Sequence, residues 1–357
     1  MIALEVSSAA GKPPFGGVGG TIRALVGALL AQDHETPYAL CHRLDRWRRG
    51  DLFRPDAANA RLRVLVDPLN GLILRGVRLF HSMAPYLPRT PRVTKLVTIH
   101  DLNAVRNIAW VTQSWHERRS AKLARAVARA DHVMTYSAFT ANEIREQYGL
   151  PAERVHPVLL GVDSARFKPP APEVARALRE KHGDYAISIG LLTPRKNFTT
   201  LIEALARVPE LRLLLVGRGS DGENEIEAAL DRTGMRARTV RMTGLPEAEL
   251  VALIGAARVC AVPSLYEGFG LTALEAMACG TPVVCSNAAS LPEAAGDAAL
   301  LVDARSSEAL EDALRRVVSD GVLAADLRAR GLARAGSMSW QASARRLRAL
   351  YREIAGI

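Results

Sequence analysis

What this chain lacks narrows its chemistry first. No apolar run in its 357 residues approaches the roughly 18 residues that a membrane-crossing helix needs, so no span is expected. The first eleven residues carry no basic stretch followed by a hydrophobic core and cleavage site, which predicts a protein kept in the cytoplasm. Aromatic residues make up only 5% of the chain, too few for the interleaving of aromatics and cations on which single-stranded nucleic acid stacks. The four cysteines, Cys41, Cys260, Cys279 and Cys285, show no C-x-x-C spacing, and the last three stand in apolar segments. Buried, reduced thiols are expected, with no disulfide and no metal. Asp-x-Asp occurs nowhere, so no carboxylate clamp for a divalent cation is evident and no cofactor is expected.

What is present describes a globular α/β protein. The composition is 48% hydrophobic and 24% charged, and the length suits two domains rather than one core. The charge is unevenly placed. Residues 1–168 hold 24 Lys and Arg against 14 Asp and Glu, whereas residues 169–357 hold 23 of each, so the net +10 belongs to the first half. No nucleic-acid motif accompanies it, and an anionic membrane surface or a lipid-phosphate acceptor fits such a basic face better.

Short apolar runs alternate with helical patterns along the chain. Strands are expected at residues 2–6, 62–66, 79–81, 95–99 and 132–136, with helices at 21–31, 114–130 and 138–148. A proline-rich stretch, residues 167–172, reads as a linker. Beyond it, strands are expected at 185–189, 211–216, 239–242, 259–262, 282–285 and 299–302. The alternation predicts two doubly wound parallel sheets, one in residues 1–165 and one in 173–338, followed by an amphipathic helix over 339–357.

The most informative segment is residues 263–293, PSLYEGFGLTALEAMACGTPVVCSNAASLPE. It orders a strand end, a glycine-broken turn, a helix from Leu271 stopped by Gly280, and a return strand. Gly268 and Gly270 keep the turn open, so the amides of Phe269, Gly270, Leu271 and Thr272 at the helix start can face a phosphate. Glu267 precedes that cup and Glu275 lies one to two turns inside the helix. A nucleotide diphosphate-sugar can meet both carboxylates, one at its sugar and one at its ribose diol.

Other candidates surround this segment. Arg195 and Lys196 lie before a helix start, where cations are unfavourable unless an anion offsets the dipole. The run Gly217-Arg218-Gly219-Ser220-Asp221-Gly222 matches G-x-G-x-x-G, but the next expected strand ends without the acid that a dinucleotide ribose requires. His100 ends a strand of the first domain, where a parallel sheet opens into a crevice, although a lone histidine is as often structural. Arg118, Lys122, Arg125 and Arg129 recur at i, i+4, i+7 and i+11 on one helical face. That stripe is a solvated face or, with Arg43, Arg46, Arg48 and Arg49, a contact for membrane or lipid phosphate.

The 263–293 motifs resemble the family 4 retaining glycosyltransferases of the GT-B fold, whose signature is Glu-x7-Glu in this setting. The resemblance implies two Rossmann-like domains facing across a cleft, with the last helix crossing back to the first. It implies a hexosyl transfer without metal, from a nucleotide-sugar donor to a glycan or polyprenyl-diphosphate-linked acceptor. In such proteins Glu267 would hold the donor sugar, Glu275 the ribose, and Lys196 the diphosphate. His100 would face the transferred sugar, Gly17 and its neighbours the diphosphate and acceptor, and Gly217 and Arg218 the nucleotide, with Gly244 near the base. Relatives place an Arg just after the strand-ending glycine, Gly190; Leu191 stands there, and Arg195 is expected to substitute. The loop around Lys196 and the Ser-Leu-Pro-Glu close look most like bacterial mannosyl- and rhamnosyltransferases of cell-surface polysaccharide assembly, which makes GDP-mannose the first donor to consider. A sugar-nucleotide epimerase of the same fold, or a basic nucleic-acid-binding protein, are the competing readings.

Overall fold

A computed structural model of the chain describes residues 1–11, 17–48, 50, 52–88 and 93–356. It divides into two compact units, Met1–Leu160 with Trp340–Ile357, and Gly161–Ser339.

The first unit is built on seven parallel strands: β1 (Ile2–Glu5), β2 (Tyr38–Arg43), β3 (Ala60–Leu65), β4 (Leu79–Ser82), β5 (Thr94–Thr98), β6 (His132–Thr135) and β7 (Val155–Pro157). Their order is β3-β2-β1-β4-β5-β6-β7, so the direction of winding reverses between β1 and β4. β1 is buried along its whole length, as expected of a central strand covered on both faces. The helix Trp340–Ala355 packs on the helix Gly17–Leu30 within this unit. Its Tyr351 hydroxyl lies 2.6 Å from Nδ1 of the fully buried His81, whose Nε2 is 2.8 Å from Thr98 Oγ1. That chain satisfies polar groups that would otherwise be buried unpaired.

The second unit carries six parallel strands: β8 (Tyr185–Ile189), β9 (Arg212–Val216), β10 (Thr239–Met242), β11 (Val259–Val262), β12 (Val283–Ser286) and β13 (Ala299–Val302), in the order β10-β9-β8-β11-β12-β13. Here the winding reverses between β8 and β11. Ligands of open α/β sheets lie outside the carboxyl ends of the strands at such a reversal.

Some expectations from the sequence need correction. β2 and β7 were not anticipated; β2 carries His42 and Arg43, and β7 is three residues ending in Pro157 at the sheet edge. The proline-rich stretch is not a linker throughout, because Pro172 opens the helix Pro172–His182 at its first turn, where its missing N–H costs nothing. The units divide at residues 160 and 161, ahead of that stretch. Val162 joins the second unit by donating its amide to Met338 O at 2.8 Å. All four cysteines are buried free thiols, and no helix among the described residues is long and apolar enough to cross a membrane.

Candidate active site

The carboxyl ends of β8 and β11 bring together residues far apart in the chain. After β8, Gly190 leads into Thr193, a 3-10 turn over Pro194–Lys196, and the helix Phe198–Ala206. A Cβ on Gly190 would lie 2.7 Å from Lys196 Cε, so glycine leaves the lysine room to fold back over the strand end. Between turn and helix stands Asn197 in the left-handed region at φ 56°. Its Nδ2 donates to Pro263 O at 3.1 Å and to Ala304 O at 2.6 Å, while its Oδ1 accepts from Thr200 Oγ1 at 2.7 Å. The amide of Leu265 donates to Arg195 O at 2.8 Å. These bonds fasten the loop after β8 to the loop after β11.

Glu267 sits at their junction. Its Oε1 accepts from Lys196 Nζ at 2.6 Å and Ser264 Oγ at 2.8 Å, and its Oε2 accepts from Arg195 Nη1 at 3.0 Å. Arg195 also donates to Tyr266 O at 3.0 Å, and Ser290 Oγ donates to Glu267 O at 2.7 Å. Burial opposes a charge on this carboxyl, but Lys196, then Arg195, together with hydrogen bonds from Lys196 and Ser264, hold its pKa near 2. It is ionised at any working pH. The chain then enters the helix Leu271–Ala278 through Gly270 at φ 111°. Gly268 is half-buried, the Phe269 side chain is buried, and Leu271 and Thr272 occupy the first helical positions. Amides at the start of a helix have no intrahelical acceptor and carry the positive end of its dipole.

Glu275, one turn further on, is half-buried. Burial pushes its pKa up to about 7, against the pull of Arg166 and Lys196, and Glu247 adds to the rise. Arg166 forks onto Glu247 through Nε at 2.9 Å and through Nη2. Sequence reading assigned no role to Arg166, Glu247, Asn197, Ser264 or Ser290. Ser264 and Ser290 stand inside the 263–293 segment and Asn197 directly follows Lys196, which was the available signal.

The glycine-rich run after β9 lies against the same loop. A Cβ on Gly217 would fall 1.7 Å from Gly190 O, so close backbone approach requires glycine there whether or not a ligand binds. Leu192 N donates to Arg218 O at 3.0 Å and Gly222 N to Leu192 O at 2.8 Å, while the Arg218 side chain is exposed. Gly244 follows β10, exposed, at φ 68°. Leu191, at the position where relatives carry Arg, is 44% exposed.

In the first unit, His100 follows β5 and is nearly buried. Its Nε2 lies 3.0 Å from Met83 O, and a carbonyl only accepts, so Nε2 carries the proton and Nδ1 is the free base. Burial lowers its pKa to about 4; Asp101 and the Met83 carbonyl oppose the fall, and Arg119 adds to it. Gly17, at φ 57°, begins the helix Gly17–Leu30; Gly16 before it and Arg49 lie outside the described residues. Arg118, Lys122, Arg125 and Arg129 are all exposed on the helix Gln113–Arg129, which also exposes Trp115. Among the described residues, no three His, Cys, Asp or Glu side chains are grouped to hold a metal ion.

Comparison with known proteins gives these arrangements a context. Residues 173–334 match the family model described as Glycosyl transferases group 1, and residues 15–166 the one described as Glycosyltransferase Family 4. The chain is 34% identical over 282 residues to the O-antigen chain mannosyltransferase B of Escherichia coli, covering 74% of this chain and 71% of that protein. It is 31% identical over 268 residues to the D-inositol 3-phosphate glycosyltransferase of Segniliparus rotundus, covering 71% of this chain and 60% of that one. Among solved structures, the sucrose-phosphate synthase (tll1590) from Thermosynechococcus elongatus aligns with a TM-score of 0.76 at 24% identity, over 99% of this chain and 98% of that one. WaaG, a glycosyltransferase involved in lipopolysaccharide biosynthesis, aligns over the full length of both chains with a TM-score of 0.72 at 17% identity. These structural likenesses establish a GT-B fold of two parallel-sheet α/β units.

Proposed function

Because the chain belongs to the group 1, family 4 glycosyltransferases, we propose that it moves a hexose from a nucleotide diphosphate-sugar, first of all mannose from GDP-mannose, to an acceptor hydroxyl with retention at the anomeric carbon. The acceptor is a glycan or a polyprenyl-diphosphate-linked saccharide of cell-surface polysaccharide assembly. The observation that carries this reading is the cluster of Lys196, Arg195 and Glu267 beside the amide end of the helix Leu271–Ala278, at the point where the second sheet reverses. Mannose is supported by the mannosyltransferase whose sequence this chain resembles over most of its length.

In this mechanism the bond between the anomeric carbon and the β-phosphate oxygen breaks while the acceptor oxygen bonds to the same face of that carbon. The acceptor proton passes to the departing phosphate oxygen, so positioning replaces a protein base. Charge growing on the diphosphate is met by Lys196, Arg195 and the amides of Gly268, Phe269, Gly270, Leu271 and Thr272. Metal is not required. Glu267, ionised well below neutrality, does not act as an acid; it accepts hydrogen bonds from the sugar hydroxyls and fixes their orientation. Glu275 accepts from the ribose diol, Gly217 and Arg218 lie along the nucleotide, and Gly244 is close to the base. Neutral His100 offers Nδ1 to a sugar hydroxyl. The exposed cations on the helix Gln113–Arg129, with Trp115 three residues before Arg118, suit the headgroup layer of an anionic membrane and support work at the inner face of the cytoplasmic membrane.

The test is turnover of GDP-mannose and other nucleotide sugars with and without a lipid-linked acceptor, with NMR of the product. Acceptor-dependent release of GDP and an α-linked product are expected. Donor consumption without acceptor would favour an epimerase, and an inverted product would refute retention.

A further inference from the structure

The hydrogen-bond chain that ties the last helix to the first sheet does not stop at Thr98. Alternate residues of a strand share one face, and the register of β4 on β5 pairs His81 with Leu96. His81 and Met83, at the end of β4, therefore stand on the same face as Thr98 and His100, at the end of β5. His81, Met83 and Thr98 are fully buried and His100 is 9% exposed. Tyr351 reaches this face from the helix Trp340–Ala355 and sets its ring edge-on to His81, with the ring centres 5.6 Å apart.

The protons of this seam have one arrangement that uses every donor. Burial lowers the pKa of His81 to about 3, so its imidazole is neutral and carries a single N–H. With the Tyr351 hydroxyl donating to Nδ1 at 2.6 Å, Nε2–H donates to Thr98 Oγ1 at 2.8 Å, and the Thr98 hydroxyl is left to donate to Met83 Sδ at 4.0 Å. The opposite tautomer would spend Nδ1–H on the Tyr351 oxygen and turn the Thr98 hydroxyl back onto Nε2. The Tyr351 proton would then have no acceptor among these groups, and Met83 Sδ no donor. Met83 is also the residue whose carbonyl accepts from His100 Nε2 at 3.0 Å. Thr98 thus holds its sulfur while His100 is held by its carbonyl, and the Tyr136 ring, 5.2 Å from that of His100 between centres, closes one side.

We infer that Tyr351 is a positioning residue for the reaction: through His81, Thr98 and Met83 it fixes the orientation in which His100 presents Nδ1. The consequence for turnover rests on the reading that His100 meets the transferred sugar. The seam itself is a property of the first unit without ligand, because all of its members belong to that unit.

Histidine-selective 15N NMR on the full, unliganded chain reads the ring tautomers, and steady-state kinetics with GDP-mannose and a lipid-linked acceptor read the consequence. Wild type should show His81 and His100 both protonated on Nε2. Tyr351→Phe keeps the ring and removes the hydroxyl, Thr98→Val keeps the shape and removes the hydroxyl, and Thr98→Ser keeps the hydroxyl. The first two should each displace the His100 resonances and lower kcat about tenfold with the donor KM little changed, as expected when an oriented group is misplaced. Thr98→Ser should do neither. In a His100→Asn background Tyr351→Phe should cost no further turnover, whereas a merely structural tyrosine would cost the same again. His100 resonances unmoved in both Tyr351→Phe and Thr98→Val would overturn the inference, as would an equal loss of kcat from Tyr351→Phe with and without His100. Full turnover in His100→Asn, with the His100 resonances still displaced in Tyr351→Phe, would support the seam and refute the sugar contact alone.

Discussion

The ammonium of Lys196 lies 2.6 Å from Oε1 of Glu267, across 71 residues of chain. The lysine leaves β8 and the glutamate leaves β11, so the contact exists only because these strands are neighbours at the sheet reversal. A carboxylate this well paired is a fixed anion, and it holds the lysine in one place beside the loop that leads into the helix Leu271–Ala278.

Lys196→Ala is expected to reduce kcat by about 100-fold or more while changing donor affinity less, because the lysine charge matters most as the diphosphate departs. Steady-state kinetics with saturating acceptor measure both. Wild-type turnover should persist in EDTA; loss that added metal restores would contradict the assignment of leaving-group charge to Lys196 and Arg195.

The same pairing has a consequence for acid stability. Glu267 titrates near 2 in the folded chain, below the ordinary carboxylate value of 4.5. Its contribution to stability is therefore complete above about pH 4.5 and is lost as the pH falls towards 2. Removing Lys196 should shrink the stability difference between pH 6 and pH 3 in urea titrations, and an unchanged difference would show that the ion pair does not hold Glu267 ionised.

Glu275 titrates in the opposite sense. Burial holds its pKa near 7, and a ribose diol donates best to the ionised form. Affinity for GDP should rise between pH 6 and pH 8, and Glu275→Gln should both weaken binding and flatten the profile. Calorimetry at three pH values suffices. A wild-type profile equal to that of the Gln variant would remove Glu275 from the ribose.

Asn197→Ala separates architecture from chemistry. The substitution leaves the buried carbonyls of Pro263 and Ala304 without a donor and puts alanine at φ 56°. A stability loss of about 2–4 kcal/mol in urea denaturation is expected, with activity falling alongside. Lys196→Ala, in contrast, should lose stability only above about pH 4.5, where Glu267 is ionised and has lost a partner, whereas the Asn197→Ala loss should be the same at pH 3 and pH 6.

Reversing Arg118, Arg125 and Arg129 to Glu should release the protein from anionic vesicles, given a contribution of roughly 1 kcal/mol per cation near such a surface. GDP binding should be unchanged. Co-sedimentation at low and high salt decides it, and binding that survives both reversal and salt would leave the stripe a solvated helix face.

Much of the fold was legible because the strands of the second unit read as short apolar runs, two of them closed by a breaker, Ile189 by Gly190 and Val262 by Pro263. Residues 239–242, 259–262 and 299–302 form strands with the bounds expected. β2 escaped because its buried face includes His42, whose Nε2 finds Phe53 O at 3.2 Å, a tertiary partner that no periodicity reveals. Pro172 misled because the same residue punctuates a linker and opens a helix. At the site, the types and spacing of Lys196, Glu267 and Glu275 were readable, whereas the bridging of Glu267 by Arg195 and the anchoring by Asn197 depend on which strands are adjacent.

The central claim is that the paired loops after β8 and β11 hold the donor diphosphate. A crystal structure of the protein with GDP tests it most directly. Phosphate oxygens are expected within hydrogen-bond distance of Lys196 Nζ and of the Leu271 and Thr272 amides, with the ribose diol on Glu275; a nucleotide bound elsewhere, with Lys196 and Glu275 free of it, would contradict the claim.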